Sequence, residues 1–179
     1  MTVQAYLLED NRLIIWKKED ADTLYRDGFY GRPIDVARPK EELEGPLILD
    51  ATEGLYLLEK KKIMVQESNN KPVSYEELKI RLSEAISDFE GKYVVYHELR
   101  NRGLIVTPGI KYGCDFAVYE HGPGIDHAPY IIQIKDQRGK LGATEIVRSG
   151  RLATTVRKSF IIAAIGDKVT YLEFNWWKA

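Results

Sequence analysis

The chain has 179 residues, 44% of them hydrophobic and 11% aromatic, enough apolar material for a real core in one ordinary domain or two small ones. Nothing approaches the roughly 20 consecutive apolar residues that span a bilayer, and the opening MTVQAYLLEDNRLIIW lacks a basic region ahead of a long apolar run, so a cytoplasmic location is expected rather than secretion or membrane insertion. The net charge of −1 offers no uniformly basic surface, and the single cysteine, Cys114, excludes an internal disulfide and a cysteine-based zinc site and reads as a small buried filler.

In chain order, Gln4 to Leu8 and Arg12 to Trp16 read as a hairpin turning at Glu9-Asp10-Asn11. Residues 31 to 47, GRPIDVARPKEELEGPL, hold three prolines and two glycines without a sustained period and read as a long loop. Asp50-Ala-Thr-Glu53 and Ser74-Tyr-Glu-Glu77 each pair a capping side chain with a glutamate three residues on, predicting two helices. Between them Ile63 to Glu67 reads as a strand ending at Ser-Asn-Asn-Lys-Pro.

A third helix is expected from about Asp88 to Asn101, with Gly103 as its left-handed terminator. Strands follow at Leu104 to Thr107, Phe116 to Tyr119 and Tyr130 to Ile134, then a helix from roughly Thr144 to Arg157. Two last strands, Ser159 to Ile165 and Val169 to Phe174, turn at Gly166-Asp167. The expected class is α/β in the broad sense and α+β in detail. Residues 1–86 form an N-terminal domain of helices with an antiparallel sheet, and residues 87–179 a C-terminal domain with a mixed sheet flanked by helices.

The charge divides along the same line. Residues 1 to 90 carry 13 basic against 19 acidic side chains, whereas residues 91 to 160 carry 11 against 6. A local positive field of that kind suits a polyanionic partner. The same region holds RGLIVTPGIKYGCDFAVYEHGPGIDHAPY, which sets a tyrosine, two histidines and an aspartate around glycine turns. His127 follows a Gly-Pro-Gly turn and precedes a strand, a position where an imidazole can be partly exposed and donate a proton. Tyr119 ends a strand whose alternation places it with Asp115 and Ala117; packing is its default role. If the last helix persists far enough, Arg151 and Lys158, seven apart, lie about 20° apart on its wheel with Arg148 roughly 80° away, making a cationic stripe. On pattern alone that stripe is also what the solvated face of an amphipathic helix looks like. Histidines at 97, 121 and 127 show no zinc-ligand spacing, so no metal is expected. Asp115, Glu120 and Asp126 remain imaginable as magnesium ligands of a nuclease.

GLIVTPGIKYGCDFAVYE, then a histidine leading a strand, then RSGRLATTVRKSFIIAAI, resembles the archaeal tRNA-intron splicing endonucleases across the whole second domain, with a looser fit across the first. The resemblance implies a catalytic subunit that cuts precursor tRNA at bulge-helix-bulge motifs with a tyrosine, a histidine and a lysine, without metal or cofactor. The block positions carry those roles onto Tyr119, His127 and Lys158. Tyrosine is a poor base at neutral pH, so the resemblance also asks the lysine to help it ionise. It places Arg151 against a base splayed from a bulge, with Tyr171, Trp176 or Trp177 as candidates for the second half of that sandwich.

Self-assembling members of that family dock through an acidic loop ahead of the basic helix, whereas the corresponding Asp136 to Glu145 carries Arg138 and Lys140 and is not an acidic plug. This implies a two-plus-two heterotetramer with a non-catalytic paralogous subunit, with a homo-oligomer as the alternative. The Gly31 to Pro46 loop looks inserted relative to compact relatives, and Arg38 and Lys40 are its candidate RNA contacts. The alternatives are a structural, non-catalytic RNA-binding subunit of the same complex, an RNA-binding module using Arg148, Arg151 and Lys158, and a magnesium-dependent nuclease.

Overall fold

The computed structural model describes residues 2–34 and 43–174. By its contacts the chain forms two compact units, Met1–Tyr96 and His97–Ala179. The expected boundary at 86/87 stood just ahead of a helix; the contact boundary falls inside that helix.

In the first unit, strands β1 (Val3–Leu7) and β2 (Leu13–Ile15) form the expected hairpin, Tyr6 opposite Ile14 and Leu7 opposite Leu13. Helix α1 (Lys18–Gly28) was not legible in the sequence: Lys17 at its start makes no side-chain cap, and its buried face, Asp20, Ala21, Leu24 and Tyr25, includes a carboxylate. Two short strands, β3 (Arg32–Pro33) and β4 (Leu47–Leu49), pair across the ends of the segment read as loop. Helix α2 (Ala51–Glu59), strand β5 (Ile63–Gln66), strand β6 (Pro72–Val73) and helix α3 (Tyr75–Ala85) complete the unit, and both expected capping boxes are formed. Glu53 is buried because its carboxylate is spent on two backbone donors, Asp50 N–H and Gly31 N–H, each at 3.1 Å.

The six-stranded sheet runs β3-β4-β2-β1-β5-β6. Expected to be antiparallel, it is mixed, because β1 pairs with β5 in parallel. More than 50 residues separate those strands, including two helices, and such a crossover permits parallel pairing where a tight turn does not. Gly54 lets α2 press on the sheet: a Cβ there would stand 2.3 Å from Leu13 Cδ1. Fully buried Leu13, Ile15, Leu47, Leu49, Leu55 and Leu78 form the core of this unit.

Helix α4 (Phe89–Asn101) begins in the first unit and ends in the second. Gly103, at φ +84°, terminates it as expected: Gly103 N–H bonds to Arg100 O and Leu104 N–H to Leu99 O, the paired bonds of a left-handed helix end. Strand β7 (Ile105–Pro108), a 3₁₀ turn (Ile110–Tyr112) and strands β8 (Phe116–Tyr119) and β9 (Tyr130–Asp136) follow, then helix α5 (Ala143–Thr155) and strands β10 (Ser159–Ile165) and β11 (Val169–Phe174). The five-stranded sheet runs β11-β10-β9-β8-β7 and is mixed, as expected: β9 and β10 are parallel and joined through α5, and the other pairs are antiparallel. One core cluster joins Ile131, Phe160 and Ile162 of the sheet to Ala153 of α5, with Tyr112, Cys114, Leu141, Leu152 and Phe174 packed around it. No helix among the described residues is long and apolar enough to cross a membrane.

Candidate active site

Three adjacent strands bring the sequence candidates together. Val118 of β8 pairs with Tyr130 of β9, and Tyr130 with Ser159 of β10. Carried one residue outward, that register sets Tyr119 and Lys158 on either side of Pro129, and Ser159 N–H donates to Pro129 O at 2.8 Å, in keeping with it. Ile131 and Phe160, two residues further along β9 and β10, pack with Ala153 of α5, so strand alternation turns this row toward the same face, and two strand spacings put the outer backbones about 10 Å apart. His127, exposed, lies two residues before Pro129. The Lys158 ammonium donates to the carbonyl of Ala128, the residue after His127, and lies 5.1 Å from the centroid of the Tyr112 ring. Tyr119, His127 and Lys158 therefore stand at one end of the sheet, although the first and last are 39 positions apart in the sequence.

The loop between Tyr119 and His127 is tied by Asp126. Its carboxylate accepts the backbone N–H groups of Glu120 (3.1 Å), His121 (3.2 Å) and Gly122 (2.7 Å), while Ile125 and Asp126 N–H turn back on Gly122 O. Burial opposes ionisation of Asp126, but the three N–H donors outweigh it and hold the carboxyl below its ordinary range. Asp115 is likewise committed to backbone, accepting Ile134 N–H at 2.8 Å. Two of the three carboxylates imagined as magnesium ligands thus serve as loop and strand ties. Among the described residues no group of three or more His, Cys, Asp or Glu side chains is placed to hold a metal ion. Burial, then the charge of Asp115, pushes the Cys114 thiol up to about 11, which leaves it an inert packing group.

The expected cationic stripe does not form on one helix. Helix α5 stops at Thr155; Arg157 adopts φ +54°, Arg157 N–H bonds to Thr154 O and Lys158 N–H to Ala153 O. This closes the helix as a left-handed terminus. The wheel relation between Arg151 and Lys158 is therefore lost, and Lys158 stands immediately before β10. Arg148 and Arg151 remain on α5, exposed and without an ion-pair partner among the described residues. Lys40 and Arg38, and the candidate stacking residues Trp176 and Trp177, lie outside the described residues. Tyr171, the third stacking candidate, has its ring covered by the Arg102 guanidinium at 5.4 Å, and burial, then Glu98, pushes its phenol up to about 12.

Two participants were missed as such by sequence reasoning. Tyr112 carries only the ordinary signal of an aromatic in a Gly-flanked turn. Asp126 reads in the sequence as a magnesium-ligand candidate, whereas an Asp closing a Gly-Pro-Gly loop is also the signature of a side chain that caps its own backbone.

Residues 4–79 match the model of the tRNA intron endonuclease N-terminal domain, and residues 89–171 that of the tRNA intron endonuclease catalytic C-terminal domain. A tRNA-splicing endonuclease from Hyperthermus butylicus is 42% identical over 171 residues, 93% of this chain and 94% of that protein. One from Sulfurisphaera tokodaii is 39% identical over 176 residues, 96% and 97% of the two chains, and one from Saccharolobus islandicus 36% identical over 177 residues with the same coverage. Two matched domains that together cover most of the chain, and relatives aligned nearly end to end, leave one conclusion: the chain belongs to the tRNA intron endonuclease family.

Proposed function

We propose that this tRNA intron endonuclease is a catalytic subunit that excises introns from precursor tRNA at bulge-helix-bulge motifs without a metal ion, leaving 2′,3′-cyclic phosphate and 5′-hydroxyl ends. The observation that carries the reading is the convergence of Tyr119, His127 and Lys158 at one end of the second sheet. RNA supplies its own nucleophile: the ribose 2′-oxygen attacks the adjacent phosphorus in line, the bond to the 5′-oxygen breaks, and the phosphate closes on the 2′ and 3′ oxygens. Tyr119 takes the 2′-hydroxyl proton, His127 protonates the leaving 5′-oxygen, and Lys158 stabilises the charge that grows on the non-bridging oxygens.

Arg151 and Arg148 extend the positive surface along α5, where a planar guanidinium suits an unpaired base and phosphate oxygens alike. Lys40 is assigned to RNA on its charge and its place in the Gly31 to Pro46 loop. The working assembly is a heterotetramer with a non-catalytic paralogous subunit. Supporting this, the segment ahead of α5 is not acidic: its Arg138 pairs with Asp136, and Lys135, just before it, with Glu145 at 2.6 Å.

The test is cleavage of a bulge-helix-bulge RNA in EDTA by this chain, alone and with a candidate paralogue, with analysis of the ends. Cyclic-phosphate and 5′-hydroxyl termini formed only with the partner are expected. Activity of the chain alone would remove the partner requirement, whereas loss of cleavage in EDTA together with 5′-phosphate products in magnesium would replace the mechanism.

A further inference from the structure

A lysine side chain has four rotatable bonds, so an ammonium that must meet a transient charge needs something to hold it. The usual partner, a carboxylate, would orient the cation but cancel the charge it is there to supply. Among the described residues no carboxylate pairs with Lys158. Its half-buried ammonium instead has two neutral contacts, the Ala128 carbonyl and the face of Tyr112 at 5.1 Å. Both are electron-rich and neither carries a formal charge.

Tyr112 is itself well fixed. It packs against the Ile131, Ala153, Phe160 and Ile162 cluster, its N–H donates to Gly109 O at 2.8 Å, and Gly113 closes the turn behind it with N–H to Ile110 O at 3.0 Å and φ +64°. The ring is thus anchored to the hydrophobic core while its face meets the cation. Lys111, at 6.0 Å from the same centroid, adds a second positive charge at this aromatic.

We propose that Tyr112 is a positioning residue for strand scission: its ring face and the Ala128 carbonyl together hold the Lys158 ammonium, with its charge intact, where the phosphoryl oxygens of the RNA arrive. This rests on the role given to Lys158 above. Removing the ring face leaves the cation tethered at one point only. The effect falls on the chemical step rather than on RNA binding, because the positioned charge matters most when the phosphate charge is growing.

The experiment is single-turnover and steady-state cleavage of a bulge-helix-bulge RNA by the assembled enzyme carrying Tyr112→Leu, Tyr112→Met, Tyr112→Phe, Lys158→Met, or Tyr112→Leu with Lys158→Met. Leu and Met both fill the space without a π face, and thermal unfolding identifies whichever of them folds as wild type. The expected result is a roughly tenfold fall in kcat for Leu or Met with KM within about twofold, and recovery to within about threefold of wild type for Phe. In the Lys158→Met background the Tyr112 change should cost nothing further. Equal losses for Phe and Leu, or the same loss in the Lys158→Met background as in wild type, would overturn the proposal, as would full activity of the Leu and Met variants. Full activity of Lys158→Met would instead remove the role of Lys158, a result distinct from any failure of Tyr112.

Discussion

Lys158 and Ala128 are joined by a hydrogen bond from ammonium to main-chain carbonyl, 30 residues apart in sequence and one residue beyond His127. The cation proposed to meet the phosphate and the loop carrying the proposed acid are therefore mechanically connected. Lys158→Ala should lower the single-turnover rate by about 10²- to 10³-fold, the usual cost of losing a charge-stabilising donor, with the RNA dissociation constant changed by less than about fivefold. Lys158→Arg should recover little, because a planar fork cannot reproduce a compact ammonium set between a carbonyl and a ring. Cleavage rates under enzyme excess and filter-binding titrations check both points; a wild-type rate for either variant contradicts the assignment.

Asp126 is the other mechanical element, since its carboxylate gathers three N–H groups of the loop that begins right after Tyr119. Asp126→Ala leaves those donors to water and should slow cleavage roughly tenfold by freeing His127, with little change in RNA affinity. The pH dependence has a definite sign. A carboxyl held below its unfolded value, ordinarily about 3.9, contributes order that is fully present above that value and lost as pH falls through the lower folded one. The loop should therefore stay ordered from pH 5 to 8 and loosen only below about pH 4. Hydrogen exchange at Glu120, His121 and Gly122 across that range tests it, and loosening near pH 6 would be the wrong result.

Much of the fold was legible because particular residues carry strong local signals. The reciprocal capping boxes at Asp50 and Ser74 start two helices where expected, Gly103 ends a third, and β8, β10 and β11 have the expected bounds. Helix α1 escaped because its stability comes from packing Ala21, Leu24 and Tyr25, with no cap at Lys17 to announce it. The parallel pairing of β1 with β5 escaped because register between distant strands is decided by tertiary packing. The stripe from Arg151 to Lys158 was misread for a related reason: Arg157 turns left-handed without the glycine that ordinarily marks such an end. The candidate residues are legible only through a family resemblance, and that Tyr119, Pro129 and Lys158 share one row follows only from strand pairing. Tyr112 had no signal of its own, since an aromatic beside a glycine reads as packing until its cationic neighbour is known.

Arg148 and Arg151 stand exposed one turn apart on α5, and both are proposed to contact RNA. Each phosphate neutralised releases counterions, so log Kd varies with log salt with a slope of about 0.7 to 0.9 per contact. Arg148→Gln should make that slope shallower by about one contact. Arg151→Ala should weaken binding even at high salt if its guanidinium also stacks on a base, because stacking is screened far less than a phosphate contact. Titrations of the assembled enzyme from 50 to 400 mM salt separate the two; identical salt profiles for both variants and wild type would remove this surface from the RNA path.

Arg157 is the residue through which α5 hands Lys158 to β10, and it does so at φ +54°. A side chain in the left-handed region costs about 1 kcal/mol or more from the clash of Cβ with the following carbonyl, whereas glycine adopts it freely. Glycine also widens the unfolded ensemble, which takes back part of the gain. Arg157→Gly should therefore be stabilising by about 0.5 kcal/mol, raising Tm by about 1 to 2 °C in a chain of this size, while Arg157→Val, β-branched and worst suited to positive φ, should lower it by more. Calorimetry of the three proteins orders them Gly above Arg above Val if the turn stores this strain. Should Gly unfold first, the Arg157 side chain must hold the turn through contacts that outweigh its backbone, and the handover to Lys158 would depend on the side chain rather than on the left-handed turn itself.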